Sequence, residues 1–163
     1  MIGGDHQSVK DVMTSAPITL PTNALASDAA RLMKDQDIGD VLVVDGDNVR
    51  GIVTDRDLVV RVIAEGRDAM DTPVGEICST DIKAVRPDDP VDEAIRVMRM
   101  QALRRLPVTQ NGKPVGVLSI GDLAMERDPS SALADISAAP ANPCRKAPPT
   151  GRSSPMVRRC HCA

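Results

Sequence analysis

The feature that most constrains this chain is that it repeats itself. Shifted by 65 positions, the sequence stays in register with itself, without a gap, from about Val9 to Val59. Val9 falls on Val74, Ala29 on Ala94, Arg31 on Arg96, Met33 on Met98 and Gln36 on Gln101. The series continues through Val43 and Val108, Gly51 and Gly116, Asp57 and Asp122, and Leu58 and Leu123. Nine identities in 51 positions are modest alone, but conservative matches fall in step with them: Val12 with Ile77, Leu20 with Val85, Ile52 with Val117, Thr54 with Ser119. A duplicated unit of this size stacks on its copy, because one copy alone leaves a hydrophobic face uncovered.

Each copy carries the same order of elements. A short opening segment (Val9–Met13; Val74–Cys78) leads to an extended stretch, Ile18–Leu20 or Lys83–Val85. A helix follows, with Leu25, Ala29, Leu32 and Met33 in the first copy and Val91, Ala94, Ile95, Met98 and Leu103 in the second falling mostly on one face. Asp88 or Asp89 suits the cap of the second of these helices, Pro90 its first turn, and Asp92 and Glu93 the positive end of its dipole. Two β runs come next: Val41–Val44 and Val49–Val53 around Asp45-Gly46-Asp47-Asn48, then Leu106–Thr109 and Val115–Leu118 around Asn111-Gly112. A second helix starts at Thr54 or Ser119. The pattern predicts an α/β (α+β) fold of two pseudo-symmetric β-α-β-β-α repeats, 8–66 and 73–128, packed sheet to sheet. Residues 129–163 read as a short helix over Ser130–Ser137, ended by Pro140, and then a disordered tail rich in Pro, Ser, Arg and Ala.

Composition narrows the function. The 163 residues include no Phe, Tyr or Trp, which excludes an aromatic cage for a quaternary ammonium, a stacking platform for single-stranded nucleic acid, and a tyrosine acid or base. The net charge of −3 divides into −6 up to Arg127 (15 basic, 21 acidic) and +3 beyond it (five basic, two acidic). An acidic body argues against a nucleic-acid partner. No run approaches the roughly 18 to 20 apolar residues of a membrane span, and no signal peptide opens the chain, so no membrane partner and a cytoplasmic location are expected. Of the four cysteines only Cys78 lies in the body, where it aligns with Met13 and reads as a small buried residue. Cys144 with Cys160-His161-Cys162 offers soft ligands, but adjacent residues suit a tetrahedral zinc site poorly, and no metal is expected. His6 and His161 are the only histidines and lie at opposite ends, so no catalytic triad can be assembled around a base and no enzymatic activity is expected.

The chemistry sits where the last strand of each copy runs into its second helix, Gly51-Ile52-Val53-Thr54-Asp55-Arg56-Asp57-Leu58 and Gly116-Val117-Leu118-Ser119-Ile120-Gly121-Asp122-Leu123. A hydroxyl stands at the helix start and a carboxylate follows three positions later. The simplest reading is a capping box, with Asp in place of the usual Glu. The other is a ligand site: a helix start attracts phosphate, and a carboxylate there accepts hydrogen bonds from vicinal ribose hydroxyls. Two copies at equivalent positions, each after Gly-apolar-apolar, leave the two readings evenly balanced.

At these residues the body, roughly Val9 to Arg127, resembles a tandem pair of cystathionine-β-synthase (CBS) domains, a Bateman module. The likeness rests on Val12-Met13-Thr14, Ile38 through Asp45, Gly51 through Leu58, Arg104-Arg105-Leu106-Pro107-Val108, and Gly116 through Leu123. The resemblance implies two clefts for adenosine-containing ligands: AMP, ADP, ATP or S-adenosylmethionine. It implies that Asp57 and Asp122 hold ribose hydroxyls, that Thr54 and Ser119 sit near ribose or phosphate, and that Ile18, Val41, Lys83 and Leu106 line the adenine slot. Arg105, with Arg104, is placed for phosphates, whereas Asp40 in the first copy repels them and Arg56 compensates. The two sites are therefore expected to be unequal, the one at Ser119 and Asp122 the better. The resemblance also implies a homodimer whose ligand-dependent change is read by an effector protein. The competing expectation is a ligand-free structural protein that dimerises and binds partners.

Overall fold

A computed structural model describes residues 7–139. The tail from Pro140, and with it the Cys160-His161-Cys162 cluster, lies outside the described residues.

The duplication is visible element by element. The first copy runs α1 (Val9–Val12), β1 (Thr14–Ser15), β2 (Thr19–Pro21), α2 (Ala26–Gln36), β3 (Asp40–Asp45), β4 (Asn48–Thr54) and α3 (Asp55–Leu58), which continues as a π-helical turn, Val59–Ile63. The second runs α4 (Val74–Ile77), α5 (Val91–Gln101), β5 (Arg105–Gln110), β6 (Lys113–Ser119) and α6 (Ile120–Arg127). The short helix expected after the repeats is α7 (Ala132–Ala138), started by Ser131, whose hydroxyl accepts from Ala134 N at 3.1 Å. Long helices and hairpins keep the 65-residue offset at both ends, and the irregularity between Val43 and Val44 recurs between Val108 and Thr109. Asp37 and Ala102 end α2 and α5 in the left-handed conformation, a shared stop signal.

There are two three-stranded sheets among the described residues: β2-β3-β4, mixed through its parallel β2–β3 pair, and β1-β6-β5, antiparallel throughout. The second sheet therefore takes its edge strand from the first copy, with Thr14 opposite Val117 and Ser15 opposite Gly116. The symmetric contact is the bridge of Ser79 with Ile52. The copies thus exchange their opening segments. Val9 packs in the second core with Val91, Ala94, Met98, Leu106 and Leu118, while Val74 and Ile77 pack in the first with Ala29, Met33, Val41 and Val53. This exchange explains the two glycines of the motif. A Cβ on Gly51 would lie 2.6 Å from Ser79 O and 2.9 Å from Cys78 Sγ, and one on Gly116 would lie 2.9 Å from Thr14 O. Only a residue without a side chain admits the crossing segment.

Two local expectations change. The extended stretch Lys83–Val85 shrinks to one parallel bridge, Val85 with Val108. In the first copy the ladder goes on through Thr22 N to Val44 O at 3.2 Å, but Pro87 stands at the matching position and has no N–H to give. Nor do Asp88 and Asp89 cap α5. Its N-cap is Pro90, Asp89 accepts instead from Arg86 N at 2.8 Å, and the Val91 N–H donates to Gln7 O at 3.0 Å. Asp92 and Glu93 do lie in its first turn. Cys78 is buried, and burial pushes its thiol pKa up.

Candidate functional site

The motif after each Gly-apolar-apolar run forms a complete capping box. Asp57 Oδ2 accepts from Thr54 N at 2.9 Å and from Thr54 Oγ1 at 2.8 Å, and Thr54 Oγ1 accepts from Asp57 N at 3.2 Å. In the second copy Asp122 Oδ2 accepts from Ser119 N at 2.8 Å and from Ser119 Oγ at 2.7 Å, and Ser119 Oγ accepts from Asp122 N at 3.1 Å. The hydroxyl protons are thereby committed to the carboxylates, so Thr54 and Ser119 do not present donors as they stand. Only Oδ2 of each carboxylate takes part in the box. Asp57 Oδ1 lies 3.4 Å from Arg61 Nε, an ion pair that sequence inspection overlooked and the i,i+4 spacing could have revealed. Glu126 stands at the matching position in the second copy, where it accepts from Gln7 Nε2 at 2.6 Å.

Each box lines a cleft whose other wall comes from the opposite copy. The first cleft, about 530 Å³, sets Thr54, Asp55, Arg56 and Asp57 against Asp81, Lys83, Arg104, Arg105 and Pro107. The second, about 370 Å³, sets Ser119 and Asp122 against Ile18, Asp37, Gly39, Asp40 and Leu42. Almost every lining position of one has its counterpart, 65 residues away, in the other. Aliphatic residues cover much of both: Ile52, Ile82, Leu103 and Pro107 in the first, Pro17, Ile18, Ile38, Leu42 and Val117 in the second.

Of the residues singled out from sequence, the first cleft brings together Thr54, Arg56, Asp57, Lys83 and Arg105, and the second Ile18, Ser119, Asp122 and again Arg105. Val41 and Leu106 require correction. They are 1% and 0% exposed and belong to the two hydrophobic cores. Their successors Leu42 and Pro107 line the clefts instead, because alternate side chains of a strand point to opposite faces and the cleft-facing position is one residue further along. The grouping of charges by copy also changes. Arg104 faces the Thr54–Asp57 box, Arg105 lines both clefts, and Asp40 faces the Ser119–Asp122 box, so most of the basic wall belongs to the cleft expected to be the weaker.

Arg105 and Asp40 are equivalent positions of the repeat, and they meet. Arg105 Nε lies 2.7 Å from Asp40 Oδ1, with the Asp40 side chain only 12% exposed. Burial nevertheless raises the Asp40 pKa above its ordinary value; Arg105 pulls it down and Asp55 pushes it further up. Gly39 leaves room for the guanidinium, since a Cβ there would sit 3.1 Å from Arg105 Nη2.

Comparison with known proteins agrees with this architecture. The family profile described as CBS domain matches residues 9–64 and 74–128. The CBS domain-containing protein YhcV of Bacillus subtilis is 37% identical over 134 residues, covering 80% of this chain and 95% of YhcV. A solved structure of a CBS-domain protein from Burkholderia ambifaria MC40-6 matches with a TM-score of 0.69 at 34% identity, covering 77% of this chain and 96% of that one. Hypoxic Response Protein I, whose crystal structure has two coordinated zinc ions, matches with a TM-score of 0.67 at 28% identity, covering 72% and 97%. Among the described residues of this chain, no group of three or more His, Cys, Asp and Glu is placed to hold a metal ion. No helix among the described residues is long and apolar enough to cross a membrane.

Proposed function

The chain belongs to the CBS-domain family, carrying two copies in tandem, and from that premise we propose that it is a non-enzymatic sensor binding adenosine-containing ligands in its two inter-copy clefts. The observation that carries this reading is the position of each capping-box carboxylate. Oδ2 of Asp57 and of Asp122 serves the box, so Oδ1 is the atom left to accept ribose hydroxyls on a wall held by the helix start, in Asp57 beside Arg61 Nε at 3.4 Å. The opposing aliphatic surface suits a purine held by dispersion and burial, and both volumes fall within the roughly 300 to 1,000 Å³ of small-molecule sites. Capping and ligand binding are then one arrangement rather than alternatives.

Because each cleft is walled by both copies, a ligand bridges them and favours one relative placement, a population shift that an effector protein can read. Exposed apolar side chains on the second helical segment of both copies, Val60 and Ile63 in the first and Ile120 and Met125 in the second, support a homodimer as the form in which the change is transmitted. Calorimetric titration of the purified chain with AMP, ATP and S-adenosylmethionine tests the reading. Saturable binding is expected, weakened at least about tenfold by Asp57→Asn or Asp122→Asn, because each exchange removes the charge that accepts two ribose hydroxyls. Thermal denaturation of each variant separates this loss from unfolding. Absence of binding by all three ligands in the folded wild type overturns the proposal.

A further inference from the structure

The two clefts are built alike and charged unlike. Position by position, the first carries Lys83, Ala102, Arg104 and Arg105 where the second carries Ile18, Asp37, Gly39 and Asp40. Arg105 lines both clefts; besides it, three cations (Arg56, Lys83 and Arg104) face three carboxylates in the first cleft, and no other cation faces the three carboxylates of the second. The shared Arg105 is committed to Asp40 at 2.7 Å, which leaves the Asp37 and Asp122 carboxylates without a balancing charge on the cleft wall. In the first cleft, by contrast, Asp57 is turned toward Arg61, outside the lining, and exposed Arg104 adds a charge that Gly39 cannot match.

Resting on the adenosine reading above, we propose that the clefts divide ligands by charge. The Thr54–Asp57 cleft takes adenosine ligands bearing phosphate. The Ser119–Asp122 cleft takes adenosine ligands whose substituent is neutral or cationic, such as a sulfonium nucleoside. The Arg105–Asp40 pair is the divider. A phosphate that draws Arg105 toward the first cleft leaves Asp40 less compensated and makes the second cleft still less hospitable to anions.

The experiment is calorimetry on the full chain with ATP and with S-adenosylmethionine, each alone and each in the presence of the other. Two variants, Arg104→Gln and Asp37→Asn, alter one cleft each. Both residues are exposed and outside the capping boxes, and Asn tolerates the left-handed backbone of Asp37 (φ 53°). Arg104→Gln is expected to weaken ATP about tenfold and leave S-adenosylmethionine unchanged, and Asp37→Asn to weaken S-adenosylmethionine and leave ATP unweakened. Neither ligand should displace the other. Mutual displacement, or equal effects of both variants on both ligands, overturns the division while leaving the adenosine reading intact. Binding of neither ligand overturns both.

Discussion

The two clefts share a backbone and differ in their linings, and the difference shows which parts of a duplicated unit are held and which are released. Held in both copies are the glycine that admits the crossing segment, the hydroxyl and carboxylate that start the second helix, and the apolar strand positions of each core. Released is the stretch entering the first hairpin strand, Asp37-Ile38-Gly39-Asp40 in one copy and Ala102-Leu103-Arg104-Arg105 in the other. Duplication also permits a pair that an identical-chain dimer cannot make. On a true twofold axis position 40 meets itself, like charge against like. Here, 65 residues apart on one chain, the same position is free to be Asp on one side and Arg on the other.

The sharpest way to break the equivalence of the two backbones is to fill the glycines. Gly51→Val drives a branched side chain against the Ser79 carbonyl, a backbone atom 2.6 Å from the Cβ position. Gly116→Val meets the Met13 side chain first, which can turn aside, and the Thr14 carbonyl only at 2.9 Å. Gly51→Val should therefore cost about 3 kcal/mol or more and Gly116→Val less, about 1 to 2 kcal/mol. Urea denaturation of the two variants reads the difference. Equal losses would mean that the crossing segments are held equally loosely.

A smaller asymmetry is expected at the capping boxes. Asp122→Ala removes one helix-start acceptor, a loss of about 1 kcal/mol. Asp57→Ala removes the same acceptor and also the contact with Arg61, which is 42% exposed and so adds only a few tenths of a kcal/mol, about the size of an i,i+4 pair. Arg61→Gln should erase the difference between the two variants in a thermal or denaturant midpoint. A difference that persists without Arg61 assigns it to the box itself.

The repeat made the hairpins, both long helices and the capping boxes readable, because each rests on local signals: periodicity of two or 3.6, Asn111-Gly112, and a hydroxyl three residues before an acid. What was not readable is what the repeat leaves ambiguous. A segment such as Val9–Met13 has the same pattern whether it packs in its own copy or in the other, so its exchange is invisible at the level of sequence. The exchange in turn decides which wall meets which box, and so Arg104, expected beside Ser119, faces Thr54, while Arg105 lines both clefts. Val41 and Leu106 failed for a different reason. Their strands are apolar on both faces, so alternation of polarity, the usual guide to which side chains point into a cleft, is absent.

The least disruptive test of the divider between the clefts is titration of Asp40. Two effects oppose at this carboxylate. Burial, helped by Asp55, favours the neutral form, and Arg105, 2.7 Å away, favours the charged one; burial prevails and the pKa lies above the ordinary 3.8. The native state then binds this proton more readily than the unfolded chain does. The ionised carboxylate thus subtracts stability above its folded pKa, and the penalty lifts as pH falls through that value toward 3.8. Asp11, Asp47 and Glu93 act in the opposite sense, since hydrogen bonds from Ser8, Lys113 and Arg96 hold them below their ordinary values and their contributions fade as pH falls. They are common to wild type and Asp40→Asn and cancel when the two are compared. The unfolding free energy of wild type minus that of Asp40→Asn should therefore rise as pH is lowered from 7 toward 4. Removing the opposing charge with Arg105→Met should steepen the rise, because burial and Asp55 then act unopposed. A difference that falls with acid would show that the ion pair outweighs burial, and that Asp40 stays ionised in the second cleft because Arg105 holds it so.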